Sequence, residues 1–152
     1  MHESASFLGQ IVHNLLPKEL TFNDVDGNLF RREVRLLRMF EGKSPGQRMK
    51  YGQREILTLW ARILEHIKTC PAAVEEFRLH PQSGVYLIEG DPHEGNQLGP
   101  CTVTRLSDGK RRVFTREVDV LCWMALLEGR EREYVLDRLR RRRIQPTTQE
   151  AA

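Results

Sequence analysis

Residues 118–127 read VDVLCWMALL, and Asp119 is the only charged residue among them. Wrapped into a helix, this stretch presents apolar side chains in almost every direction. A helix that is apolar all round is a buried helix rather than a surface one. Thr115 provides a cap before the stretch and Gly129 an end after it. We therefore expect residues 118–127 to form the centre of the hydrophobic core.

Helical spacing of apolar residues recurs on both sides of this core stretch. It predicts four further helices, over residues 7–16, 53–69, 72–79 and 130–143. Pro17 ends the first of them, and Pro71 separates the second from the third. With the core helix, the chain therefore has about five helices.

A change of period after residue 81 predicts a small amount of β-structure. Residues 102–106 and 111–115 flank Ser107-Asp108-Gly109-Lys110, which is a strong hairpin signal. Residues 85–89 add a third short run, and the Gly/Pro/Asp-rich residues 90–99 read as a loop. The prediction is an α+β fold, with about five helices packed on a small antiparallel meander or hairpin.

Residues 29–41 allow two interpretations. As a helix, they place Phe30, Val34 and Phe40 on an apolar arc opposite the arginines. As a strand, they place Arg32 and Arg38 on the same face as these apolar residues. The helix is preferred for that reason. A hairpin with residues 20–25 stays open as the alternative.

Length and composition bound the class of protein. The 152 residues fit one domain, which we assign to residues 1–144, followed by a polar tail over residues 145–152 that we expect to be disordered. The longest apolar run, residues 120–127, is too short to span a membrane. Three cysteines without a CxxC motif argue against a disulfide framework or a zinc site and favour the cytoplasm. No metal and no cofactor is predicted.

Charge patterning supplies the first functional hypothesis. The net charge of +3 is too small to imply nucleic acid on its own, but the arginines are locally clustered. The cluster at the end of the last helix comprises Arg138, Arg140, Arg141, Arg142 and Arg143. Cations there complement the helix dipole, and Asp137 can pair with Arg140 or Arg141. Four consecutive arginines exceed what capping needs, so the cluster also suggests phosphate binding.

A second basic stretch lies in the predicted hairpin, where Lys110, Arg111 and Arg112 precede Phe114. Such a ribbon can lie along a nucleic-acid backbone. Alternation also predicts this pattern for any half-exposed strand, with Val113 inward and Arg112 outward. We include the three cations as an auxiliary part of the predicted site.

Three functional hypotheses follow. The first is a non-enzymatic accessory or regulatory protein that contacts nucleic acid or another polyanion through the arginine-rich helix. The second is a protein–protein adaptor or homo-oligomer that uses its amphipathic helices and the apolar residues 120–127 as an interface. Trp60 and Trp123 would be interface anchors if they are exposed rather than in the core. The third is a small enzyme using Asp91, His93 and Glu94, although no common catalytic motif is present. No membrane partner is expected.

Overall fold

One mixed β-sheet organises the protein, as seen in a computed structural model that describes residues 21–23, 27–44, 48–93 and 97–144. The described strands are β1 (Thr21–Asn23), β2 (Asn28–Arg31), β3 (Leu36–Lys43), β4 (Gly84–His93), β5 (Gln97–Arg105) and β6 (Arg111–Phe114). The described helices are α1 (Tyr51–Thr69), α2 (Pro71–Phe77), α3 (Glu117–Ala125) and α4 (Arg130–Ile144), with a 3-10 turn at Arg32–Val34.

The strands lie in the sheet in the order in which they occur in the chain. Short connections make four of the five neighbouring pairs antiparallel. The exception is β3 with β4, which pair in parallel because α1 and α2 lie between them in the chain. The sheet therefore consists of two antiparallel meanders joined along one parallel seam.

The helix preferred for residues 29–41 is wrong. The stretch forms β2, the 3-10 turn and β3. Leu36 and Phe40 are buried on one face of β3, whereas Leu37 and Met39 lie on the other, half-buried. Arg38 shares the buried face with Leu36 and Phe40 and is itself buried. The arginine that argued against a strand is thus accommodated inside the protein.

The prediction of about five helices on a small meander is also wrong, although the α+β class is correct. The sheet has six strands, counting the three-residue edge strand β1, and the described residues form four α-helices. Much of the loop predicted for residues 90–99 is strand, because a bulge between Gly90 and Pro92 lets β4 continue to His93. The predicted helix at residues 7–16 and the predicted tail at 145–152 lie outside the described residues.

The predicted core stretch is confirmed as the centre of the core. Val120, Leu121, Met124 and Ala125 of α3 are fully buried. They pack with inward-facing strand residues and with buried residues of α4 in one large cluster. A smaller cluster on the opposite face joins α1 to β4. Among the described helices, none combines the length and apolar character needed to cross a bilayer.

Candidate functional site

A buried arginine on β3 forms the base of the candidate site. The Arg38 side chain is only 1% exposed. Its Nε donates to the Gln82 carbonyl oxygen at 3.0 Å, and its Nη2 donates to Gln82 Oε1 at 3.1 Å. Its Nη1 donates to the Trp123 carbonyl oxygen at the end of α3. The guanidinium carbon lies 4.3 Å from the centre of the Trp123 ring and 5.2 Å from that of Tyr86. Backbone, amide and ring contacts thus hold this cation.

Arg38 has no carboxylate partner among the ion pairs of the described residues. Burial, with a smaller effect of the positive charge of Arg112, lowers the pKa of Arg38 to about 10 against a raising effect of Tyr86. Buried charges in proteins are normally paired, because removing an ion from water is costly. The site therefore has an excess of positive charge within the fold.

The position of α3 explains part of this arrangement. Its last carbonyls have no partner within the helix and carry the negative end of the helix dipole. Arg31 on β2 donates to the carbonyl oxygens of Ala125 and Leu126 at 3.1 and 2.8 Å, and Arg38 donates to that of Trp123. Two arginines from neighbouring strands thus cap one helix end. Arg31 also pairs with Glu131 at 2.7 Å, whereas none of the ion pairs in the described part of the chain involves Arg38.

Above Arg38 lies an open cavity of about 330 Å³, which we call the Arg38 cavity. This volume is at the lower end of the range for small-ligand sites. Its uncharged lining comprises Gln82, Tyr86, Val103 and Trp123. Its charged lining is entirely basic and comprises Arg38, Arg105, Lys110, Arg111 and Arg112. Such a lining attracts anions and disfavours cations.

Aromatic rings form one wall of the site. Trp123 lies edge-on to Tyr86 at 4.9 Å between ring centres and is tilted against Phe114 at 5.6 Å. Arg112 lies over the Phe114 ring at 4.6 Å. Arg112 and Trp123 also line an adjacent cavity of about 460 Å³ between β6 and α3. These two residues therefore separate two neighbouring depressions on one side of the protein.

The β5–β6 turn places its cations at the rim of the Arg38 cavity. Lys110, Arg111 and Arg112 are all exposed. The Asp108 carboxylate accepts hydrogen bonds from Arg105 and from the Lys110 backbone N–H, and these bonds lower the pKa of Asp108 to about 2. Asp108 stays ionised at neutral pH and orders the turn. The auxiliary residues predicted from the sequence thus surround a cavity that the sequence did not reveal.

The described arginines of the α4 cluster have different surroundings. Arg142 pairs with the buried carboxylate of Glu117 and fastens α4 to the start of α3. Arg141 pairs with Asp137 at 3.1 Å, and Arg138 lies 5.8 Å from the Tyr134 ring. Arg140 is exposed, and the side chain of Arg143 lies outside the described ones.

The α4 cluster and the hairpin cations lie toward opposite ends of β6. Arg142 contacts Glu117, just beyond the last residue of the strand, whereas Lys110 directly precedes the first. A four-residue strand is about 13 Å long. We therefore expect a ligand that uses both Lys110 and Arg142 to be an extended one.

Sequence reasoning missed Arg38, Gln82, Tyr86 and Arg105 as members of the site. The available signal was Arg38 itself, a charged residue at an inward position of an alternating apolar stretch. The proposed acidic and histidine loop is not tested, because the side chains of Asp91 and His93, and Glu94 as a whole, lie outside the description.

His80 gives the site a pH-dependent support. Its Nδ1 accepts the Gln82 backbone N–H at 3.0 Å, and Gln82 in turn binds Arg38. Burial, with smaller contributions from the charges of Arg38 and Lys68, lowers the pKa of His80 below its ordinary 6.5. The folded state thus prefers the neutral imidazole. The stabilising contribution of this neutral form is present above pH 6.5 and is lost as the pH falls from there through the lower pKa of the folded state.

We expect protonation of this histidine to lower the free energy of unfolding between about pH 8 and pH 5. Urea unfolding at both pH values would measure it. His80→Asn keeps an acceptor without the titration and should reduce the loss. His66→Asn, at an exposed histidine, is the control and should leave the loss unchanged. An equal loss in wild type and His80→Asn would contradict the prediction.

Comparisons with known proteins give no family assignment. No family model matches the chain, and neither the curated proteins nor the solved structures gave a significant match. The functional argument therefore rests on the residues and geometry of the chain itself.

Proposed function

We propose that this protein is a non-enzymatic accessory or regulatory protein that binds nucleic acid, or another polyanion, through the basic surface of the β5–β6 turn and the Arg38 cavity. The observation that carries the proposal is the lining of that cavity, which has five basic side chains and no acidic one. Phosphate groups are the anions that clustered arginines bind best, because the guanidinium donates two parallel hydrogen bonds.

The mechanism is phosphate contact with release of counterions. The first cations that a nucleic-acid strand would meet are the exposed side chains of Lys110, Arg111 and Arg112. Contacts to phosphate give affinity without reading base sequence. Arg140 and Arg141 of the α4 cluster extend the contact for a longer strand, although Arg141 is partly neutralised by Asp137.

Removal of the three hairpin cations tests the proposal. We expect Lys110→Ala/Arg111→Ala/Arg112→Ala to weaken binding and to reduce the slope of log K against log salt by about 2, since each contact to single-stranded phosphate contributes about 0.7. Fluorescence anisotropy with a short labelled single-stranded DNA and RNA, between about 50 and 200 mM salt, measures this slope.

The matched control is Arg48→Ala/Arg54→Ala/Arg62→Ala, which removes the same charge from exposed positions elsewhere. It should leave the slope close to the wild-type value. If the two triple variants behave alike, the hairpin is not the contact. Absence of wild-type binding at about 50 mM salt, where phosphate contacts are strongest, would overturn the proposal itself.

The alternative function, an adaptor or homo-oligomer, needs a different surface from the one first considered. Most of residues 120–127 are buried within the protein, with Trp123 and Leu126 only partly so, and the stretch does not form an exposed interface. Exposed apolar side chains lie instead on α1, at Ile56, Leu59, Trp60 and Ile63. Trp60 is therefore not a core residue, and self-association stays a second prediction based on this flank.

We place the protein in the cytoplasm as part of the same proposal. Cys70, Cys101 and Cys122 are all free thiols. Burial raises the pKa of Cys101 to about 11 and also raises that of Cys122, so both remain protonated and unreactive at neutral pH. A reducing compartment suits three free cysteines.

A further inference from the structure

We propose that the Arg38 cavity binds a phosphomonoester group, such as the terminal phosphate of a nucleic-acid strand, rather than a phosphodiester within the strand. The inference rests on the proposed function and names the chemical group that the site selects. It follows from the burial of Arg38 beneath an exposed rim, from the charge of the cavity and from the remaining hydrogen-bonding capacity of Arg38.

The burial of Arg38 favours a group at the end of a chain. Arg38 is almost completely buried, whereas Lys110, Arg111 and Arg112 at the rim are exposed. A phosphodiester carries a sugar on both sides, so it reaches a recessed cation only if both sugars enter with it. A terminal phosphate has only one substituent and can enter with its free oxygens first. The exposed rim therefore suits the phosphodiester backbone of a nucleic-acid strand, and the base of the cavity suits the phosphate at its end.

The charge of the cavity favours a dianion. A phosphomonoester carries a charge between −1.5 and −2 at neutral pH, because its second pKa is about 6. A phosphodiester carries only −1. The lining contains five cations, and only Arg105 pairs with a neighbouring carboxylate, that of Asp108, among the described ion pairs. A dianion therefore offsets more of the uncompensated charge than a diester does.

Arg38 retains part of its hydrogen-bonding capacity. A guanidinium has five N–H donors. Among the described residues, Gln82 and Trp123 accept hydrogen bonds from Nε, Nη1 and Nη2, and the Tyr86 side chain is a further hydrogen-bond partner. One of the five donors is then left for a ligand, to which Arg38 contributes a charge-assisted hydrogen bond. The contacts to Gln82 and Trp123 fix the plane of the guanidinium before the ligand arrives.

The first test compares strand ends. Oligonucleotides of one sequence, labelled internally, carry a 5′-phosphate, a 3′-phosphate or hydroxyls at both ends, and their affinities are measured by anisotropy. We expect at least one phosphorylated end to bind about tenfold more tightly than the hydroxyl-ended strand, the gain of one charged hydrogen-bonding site. Inorganic phosphate should compete away this preference. If all three strands bind equally, the inference fails while the proposed function stands.

The second test uses Trp123 as a reporter. The chain has two tryptophans, so Trp60→Phe leaves Trp123 as the only one. Titration with inorganic phosphate should change its emission saturably, whereas sodium chloride at matched ionic strength should not. Phosphate binding without any oligonucleotide binding would support the phosphomonoester site, assign it to a small phosphorylated molecule and overturn the proposed function. An unchanged Trp123 emission would overturn the inference.

A variant locates the effect. Arg38→Met should abolish the preference for a phosphorylated end while leaving the hydroxyl-ended strand bound at the rim. Because Arg38 is buried and its replacement threatens the fold, Arg112→Gln at the exposed rim provides a second variant, which should reduce the preference without unfolding the protein. Circular dichroism confirms the fold of each. A full preference in both variants would contradict the assignment.

Discussion

Gly27→Ala should destabilise the protein by about 3 kcal/mol, the sum of backbone strain and a lost hydrogen bond. Gly27 has a positive φ of 63°, where a side chain is strained. An added Cβ would fall far inside contact distance of the Phe40 carbonyl oxygen, which belongs to the backbone of β3 and cannot swing aside. Residue 27 would have to move away from β3 to relieve this clash. That shift would disturb the hydrogen bond from the Phe40 N–H to the Gly27 carbonyl, which is 2.8 Å long.

Gly109→Ala separates backbone strain from this clash. Gly109 also has a positive φ, 74°, but no atom lies within 4 Å of the position that its Cβ would take. We expect a loss of only about 1–2 kcal/mol there. Urea unfolding of both variants measures the difference, and equal losses would show that the approach of Gly27 to β3 is not a tight one.

The second large effect is expected at the centre of the core. Leu121→Ala should lower the free energy of unfolding by about 2–5 kcal/mol, because it removes apolar contacts and leaves a cavity. Leu121 is fully buried in α3 within the main core cluster. Val113→Ala, at a side chain that is 66% exposed, is the control, with an expected change within about 0.5 kcal/mol. A small loss at Leu121 would mean that α3 is not the centre of the core.

Those parts of the fold that depend on local pattern could be predicted from the sequence. The apolar stretch at residues 118–127 and the spacing in α1 and α4 identified helices, because one face or all faces of each helix are buried. The strands β2 and β3 could not be predicted in the same way. Their pattern is interrupted by Arg38, and its place inside the protein depends on carbonyl groups of α3, about 85 residues along the chain.

The site was predictable only at its rim. Lys110, Arg111 and Arg112 are consecutive, so the sequence shows their charge directly. The base of the Arg38 cavity draws on Arg38 of β3, Tyr86 of β4 and Trp123 of α3. No local spacing relates these residues, because the parallel seam and the packing of α3 bring them together. The α4 cluster illustrates the converse, since a conspicuous run of arginines includes Arg142, whose contact with Glu117 is structural.

We expect the parallel seam between β3 and β4 to be among the last parts of the sheet to form. Each meander closes through short connections, but Phe40 and Tyr86 become neighbours only after the crossover has been spanned. Contacts between residues far apart in sequence raise the contact order, and proteins rich in them fold in milliseconds to seconds rather than microseconds. Arg38 and Tyr86 lie on the two sides of this seam. We therefore expect ligand binding to be acquired in the slowest phase of folding, so that a chain with both meanders formed but not yet joined is still inactive.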